Sequence, residues 1–146
     1  MSKEGNDGRS PFFALVNPPS LGRPSGFSHG LLAPSGGRLL FVAGQTAADE
    51  HGHIVERGFA AQFETALRKA LAVVEAAGGT REHVARMTIY VTDLESYLVS
   101  RRSLGDLWSR HMGSHYPAMA LVQVTRLVDA DAAVEIEATA VLPAAP

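Results

Sequence analysis

The sequence contains no cysteine among its 146 residues, which excludes disulfide bonds, thiolate metal sites and a cysteine nucleophile. Aromatic residues make up 7% of the chain and hydrophobic residues 46%, so the core has to be mainly aliphatic. The net charge is −2, and no run of basic residues occurs. Because nucleic-acid binding usually needs a Lys/Arg stripe that displaces counterions from phosphates, we expect no nucleic-acid partner.

Long apolar runs are also missing near the N-terminus. The longest there, Phe12–Val16, has five residues, whereas a secretory signal needs about 7–15 and a membrane-spanning helix about 20. We therefore predict a cytoplasmic protein that does not contact the membrane.

The length fits a single domain. Residues 1–26 are rich in proline and glycine, including Pro18-Pro19 and Pro24, and we interpret them as a leader without regular structure. The remaining pattern predicts one domain over residues 27–142.

Hydrophobic periodicity predicts the order ββαβαββ. Two strand-like runs flank a Pro/Gly turn and suggest a hairpin, and the first helix ends at a glycine pair. A capping box, Thr92–Glu95, predicts the start of the second helix. The predicted strands are 27–33, 38–43, 84–92, 118–127 and 133–142, and the predicted helices are 58–77 and about 93–113.

Right-handed strand–helix–strand connections place both helices on one face of the sheet. On the strand at 118–127, we assign the small residues Ala118, Ala120, Val122 and Val124 to the helix-covered face. Met119 and Leu121 then fall on the uncovered face, which predicts that a second copy of the chain covers it. Coverage by the leader is the alternative.

The carboxylates of Glu135 and Glu137 share one face of the last strand. They are either an acid–base pair that holds water or two solvated side chains on an exposed face. Arg101-Arg102 on the second helix is either an anion-binding pair or part of a solvated helix face.

Two histidine pairs are candidate metal ligands. His51 and His53 lie in one flexible loop, which rarely provides the three or four ligands that zinc requires. His111 and His115 straddle Gly113, where the helix should end. We predict no metal, and the sequence carries no nucleotide-binding fingerprint.

Several motifs together resemble the Rid family, also called YjgF/YER/UK or L-PSP-like. They are Gly44-Gln45 after an apolar strand, Ala70–Gly79, Met87–Leu94, Tyr116-Pro117-Ala118, Val124–Leu127 and Val134–Ala138. The resemblance implies a chorismate-mutase-like α+β fold with a mixed sheet and two helices on one face. It also implies a homotrimer whose sheets form a central barrel with three intersubunit clefts.

The same resemblance implies a cofactor-independent hydrolysis of reactive enamines and imines, and it assigns site residues. Glu135 would hold the water, and Gly44 would form part of the cleft wall. The substrate-binding positions are Phe27, Arg101, Met119 and Leu121. Met119 stands where the family has an arginine that binds the substrate carboxylate.

The missing arginine affects the expected activity. A charge-assisted hydrogen bond contributes about 1.5–3 kcal/mol, so the usual substrates should bind about 10- to 100-fold more weakly unless Arg101 or Arg102 reaches the cleft. Three interpretations remain open. They are an imine or enamine deaminase of altered specificity, a non-catalytic trimer that binds a small ligand or a protein, and a ribonuclease or translation inhibitor, which the negative net charge disfavours.

Overall fold

The computed structural model describes residues 12–146. Its elements follow the predicted order, with one short strand added at the start. Short 3₁₀ turns lie at Pro19–Leu21 and Arg81–His83. The strands are β1 (Ala14–Val16), β2 (Gly30–Leu32), β3 (Arg38–Gln45), β4 (Val84–Val91), β5 (Ala118–Gln123) and β6 (Val134–Leu142), and the helices are α1 (Phe59–Ala76) and α2 (Leu94–Met112).

The main sheet has four strands in the order β3-β6-β4-β5. β4 pairs in parallel with β5 and antiparallel with β6, and β3 pairs antiparallel with β6. Both helices contribute to a single core against this sheet. The predicted α+β class, with a mixed sheet and two helices, is therefore confirmed, and β5 is left as an edge strand.

Helix α1 has the buried stripe that its periodicity predicts. Full burial of a large apolar side chain contributes about 1.5–3 kcal/mol, so this stripe provides much of the attachment of α1 to the sheet. Gly78 follows the helix with φ +85°, a conformation that other residues resist. The buried apolar residues of α1 are Phe63, Ala66, Leu67, Ala70, Leu71 and Val74.

The predicted hairpin between the strands at 27–33 and 38–43 is wrong. β2 pairs antiparallel with β1, with Ala14 opposite Leu32, whereas β3 pairs along its length with β6. The long β6 strand offers β3 a more extensive ladder than the three-residue β2 does. Proximity in the sequence therefore did not decide which strands pair.

The idea that residues 1–26 lack regular structure is also wrong for the described part, because β1 and a 3₁₀ turn lie there. This segment is attached to the domain. Phe13 is buried and stacks on His115, with ring centroids 6.1 Å apart. The part of the predicted leader at residues 1–11 lies outside the described residues.

Helix α2 starts one residue later than the predicted capping box. The backbone N–H of Thr92 still donates to Ala133 O at 3.1 Å, so Thr92 continues the strand pairing. Asp93 is the N-cap instead, and its carboxylate accepts a hydrogen bond from Glu95 N at 3.1 Å. Within residues 12–146, neither helix is long and apolar enough to cross a membrane.

The two faces of β5 are reversed relative to the prediction. In the parallel pairing, Met119 lies beside Met87 and Leu121 beside Ile89. Met87 and Ile89 are buried in the core, and neighbouring residues in register share a sheet face. Met119 and Leu121 therefore face the helices. The alternation predicted two faces correctly, but it could not show which one the helices cover.

The opposite face of the sheet, called here the open face, is still uncovered by the described residues of this chain. It presents Leu39, Phe41 and Val122 with 63%, 75% and 44% of their surface exposed. Ala118 and Ala120 also belong to the open face.

Candidate functional site

Glu135 and Gly44 meet on adjacent strands. The pairing of β3 with β6 is irregular between Val42 and Gln45, and Gly44 lies in this irregular stretch, against the Glu135 side chain. A Cβ atom on residue 44 would overlap the Glu135 carboxylate, lying 2.8 Å from its Cδ and 3.0 Å from its Cγ. Gly44 does not have a positive φ. A glycine is therefore required here for close approach and not for backbone conformation.

The neighbouring carboxylate, Glu137, has a different role. The hydroxyl of Tyr90 donates to Glu137 Oε1 at 2.8 Å, and this hydrogen bond raises the pKa of Tyr90. The Glu135 carboxylate, in contrast, accepts no hydrogen bond from residues 12–146. Of the two carboxylates on the open face, Glu135 is the one available to a ligand or a water molecule.

A cavity of about 350 Å³ lies on the helix side of the sheet, beside the edge strand β5. It brings together four of the predicted substrate-binding residues: Phe27, Arg101, Met119 and Leu121. The rest of its wall is mostly apolar and aromatic and includes Phe63, Ile89, Tyr97, Leu104, Trp108 and Tyr116.

Arg101 and Arg102, the two helix residues that could bind a substrate carboxylate, differ in their position relative to the cavity. Arg101 lines the cavity, whereas Arg102 does not. None of the ion pairs within residues 12–146 involves Arg101. No carboxylate of the described residues therefore has to leave the Arg101 guanidinium before it binds an anion.

The predicted site residues form two separate groups in one chain. Met119 lies on the helix side of β5, while Glu135 lies on the open face of β6, with β4 between the two strands. Two strand spacings amount to about 10 Å. A small substrate therefore cannot contact both groups within one chain. Each of these two groups of predicted site residues is called a half-site below.

Comparison with known proteins identifies the family. A family model described as endoribonuclease L-PSP matches residues 23–142. A RutC family protein of Pyrococcus abyssi is 32% identical over 105 residues, which cover 71% of this chain and 79% of the relative. The chain belongs to the Rid (L-PSP) family. The resemblance based on the sequence motifs is confirmed.

Other relatives of this Rid-family chain have named activities or solved structures. A 2-iminobutanoate/2-iminopropanoate deaminase of Salmonella typhimurium is 30% identical over 105 residues, covering 72% of this chain and 80% of the deaminase. The structure of the Rid-family protein YyfB from Yersinia pestis superposes with a TM-score of 0.77 at 29% identity, covering 90% of this chain and 99% of the other. The YjgF gene product of E. coli gives a TM-score of 0.63 at 28% identity, covering 86% and 92%.

The loop histidines of this Rid-family chain are not arranged around a metal. The Asp49 carboxylate accepts hydrogen bonds from the backbone N–H groups of His51 and His53, both at 2.9 Å, and these bonds lower the pKa of Asp49. Both imidazoles are exposed. Within residues 12–146, no group of three or more His, Asp or Glu side chains is placed to hold a metal ion.

His111 and His115, the other histidine pair, contact different parts of the structure. Helix α2 ends at Met112, so His111 and His115 do not share a helical face. The His111 ring bonds to Glu64 Oε1 at 2.7 Å and lowers the pKa of Glu64. His115 Nε2 donates to Val84 O at 2.7 Å, and burial lowers the pKa of His115.

Gly105 is a cavity residue that the sequence reasoning missed. It lies inside α2 and lines the cavity one turn after Arg101. A Cβ atom there would meet no heavy atom within 4 Å. Glycine within a helix costs about 1 kcal/mol relative to alanine, so a glycine in the middle of this predicted helix was a signal that could have indicated the site.

Proposed function

We propose that this protein is a cofactor-independent hydrolase of reactive imines or enamines, acting at clefts between the subunits of a homotrimer. The observation that carries this proposal is the contact of the Glu135 carboxylate with Gly44. Glycine at position 44 leaves room for the Glu135 carboxylate, which accepts no hydrogen bond from residues 12–146. The relatives named as deaminases support the reaction class.

In the proposed reaction, water adds to the carbon of the C=N bond and Glu135 accepts its proton. That proton passes to the nitrogen and gives a carbinolamine. The proton of the new hydroxyl group then moves to the amino group, the C=O bond forms as the C–N bond breaks, and a carbonyl compound and ammonia leave. General base catalysis of this kind contributes about 10²- to 10⁴-fold in rate. The net charge of −2 gives no support to RNA as a substrate.

The homotrimer is proposed for two reasons. The open face exposes Leu39 and Phe41, which a second copy would remove from water. The two half-sites also lie on opposite sides of the sheet, so a neighbouring subunit has to complete each cleft. A solution mass equal to one subunit, measured by light scattering at micromolar concentration, would contradict the trimer.

The catalytic proposal is tested with imines generated by an amino-acid oxidase, with semicarbazide competing for them. Wild type should accelerate imine loss and ammonia release for at least one substrate, and Glu135→Gln should abolish most of that acceleration. Glu137→Gln is the matched control, because this carboxylate shares the face but is bonded to Tyr90. A wild-type protein inactive on a broad imine panel would favour the non-catalytic, ligand-binding alternative.

The shared cleft is tested by mixing two defective chains. Glu135→Gln disables one half-site, and Met119→Trp fills part of the other. In an equimolar mixture of the two chains that assembles at random, about one cleft in four combines two intact halves if each cleft joins two subunits. Recovery of about a quarter of the activity supports the arrangement. No recovery in trimers shown by mass spectrometry to be mixed would contradict it.

A further inference from the structure

The cavity beside β5 is large and aromatic for a substrate with only three or four carbon atoms. Its volume of about 350 Å³ equals on the order of ten water molecules. Trp108 and Tyr116 lie in its wall with their rings stacked, 6.0 Å apart and inclined by 8°. Because aromatic walls favour contact with flat apolar groups, a small imino acid would leave most of this surface wet.

The charge in the cavity comes from the helix and not from β5. Met119 contributes an adaptable apolar surface on the strand side. Arg101 contributes a guanidinium from α2 that is in no ion pair within residues 12–146. A guanidinium binds a carboxylate through two parallel hydrogen bonds. An anion in this cavity should therefore be bound next to α2.

Gly105 provides the space that such a ligand needs. It lies four residues after Arg101, on the same side of α2. The position beyond its Cα is empty to at least 4 Å, and both residues line the cavity. A side chain at residue 105 would take up part of the volume next to the guanidinium.

We propose that the cavity selects substrates with an aromatic group and a carboxylate, in which Arg101 binds the carboxylate and Gly105 admits the group next to it. This inference rests on the proposed function for the reaction, but it makes a separate claim about binding. Arg101 and Gly105 are thus specificity residues that compensate for the apolar side chain of Met119.

The test is a binding measurement with stable probes that contain no imine. Phenylacetate carries both features, acetate lacks the ring, and phenylacetamide lacks the charge. Isothermal titration should give phenylacetate a dissociation constant at least tenfold lower than either control probe. Equal affinity for phenylacetate and acetate would overturn the aromatic part of the proposal.

Two variants locate the contacts. Arg101→Gln should abolish the preference for phenylacetate over phenylacetamide, while Arg102→Gln, next to it but outside the cavity, should leave the preference intact. Gly105→Ala should weaken phenylacetate binding at least fivefold and leave the melting temperature unchanged or higher, since alanine favours the helix. An Arg101→Gln variant that keeps the preference, or a Gly105→Ala variant that binds as well as wild type, would overturn the assignment.

The binding and activity results can fail independently. Loss of catalysis in Glu135→Gln with unchanged phenylacetate binding would support both proposals. Probe binding with no imine hydrolysis by wild type would leave the ligand class supported and reject the reaction. Imine hydrolysis without a preference for phenylacetate would support the reaction and reject the proposed ligand class.

Discussion

Replacing Gly44 by alanine should damage the reaction far more than the fold. The new Cβ atom would lie 2.8 Å from Glu135 Cδ and 3.0 Å from Cγ, whereas a favourable contact between carbon atoms is about 3.5–4.0 Å. The carboxylate therefore has to move by about 1 Å or more. A misplacement of about 1 Å in a reacting group can cost about 100-fold in rate, so we expect a loss in kcat/KM of about two orders of magnitude.

The stability of Gly44→Ala should change little. The atoms that have to move belong to the end of a flexible side chain, and residue 44 has no positive φ that an alanine would strain. We expect the free energy of unfolding in urea to change by less than about 1 kcal/mol, within the common range for single substitutions.

Gly37→Ala is the matched control, because it follows the opposite pattern. Its Cβ atom would lie 2.5 Å from Val141 Cγ1, and Val141 is buried. This variant should lose stability by about 1–3 kcal/mol, as overpacking usually does, while its remaining folded fraction keeps its activity. Gly44→Ala with unimpaired kcat/KM, or with a stability loss as large as that of Gly37→Ala, would refute the proposal that Gly44 leaves room for a catalytic Glu135 carboxylate.

Three further predictions concern other positions. Met119→Arg should raise imine hydrolysis of small 2-imino acids by about tenfold, the lower end of the range for a charge-assisted hydrogen bond, because Arg101 already lines the cavity; a folded variant without any gain in the semicarbazide assay would contradict this. Thr46→Val removes the 2.7 Å hydrogen bond from Thr46 Oγ1 to Asp129 Oδ2 and should lower the free energy of unfolding by about 1.5–3 kcal/mol, with Thr46→Ser close to wild type. Burial lowers the pKa of His115 in the folded state, so the unfolded chain binds more protons and the free energy of unfolding should fall as the pH drops below about 6.5. His115→Gln should flatten this decline in urea unfolding, and an unchanged dependence of the free energy of unfolding on pH would contradict the prediction.

The sequence predicted the main elements because their signals are local. The helix stripe from Phe63 to Val74, the glycine after α1 and the alternation of β4 depend on residues close in the chain, and the structure has all of them. Strand pairing is not a local property. β2 pairs with β1 and not with β3, and no periodic pattern in these short segments indicates this choice.

The family motifs indicated candidate site residues one by one, but they did not indicate how the fold arranges them. A period of two separates the faces of a strand without indicating which face the helices cover. For β5 the assignment was reversed, so Met119 lies on the helix side, away from Glu135. The position of Gly105 in the cavity wall depends on how α2 packs beside β5, which sequence spacing does not specify.

The positions of Glu135 and Met119 bear on the proposal that Met119 replaces an arginine of the family. Glu135 and Gly44 are held by the β3–β6 pairing on the open face, and Met119 packs on the other side of the sheet. A substitution at 119 therefore leaves the geometry of the water-binding half unchanged. A side chain at residue 44 would displace the Glu135 carboxylate, and the chain keeps a glycine at this position. On the proposal that Met119 replaces the family's arginine, the glycine at 44 favours a change of substrate over a loss of catalysis.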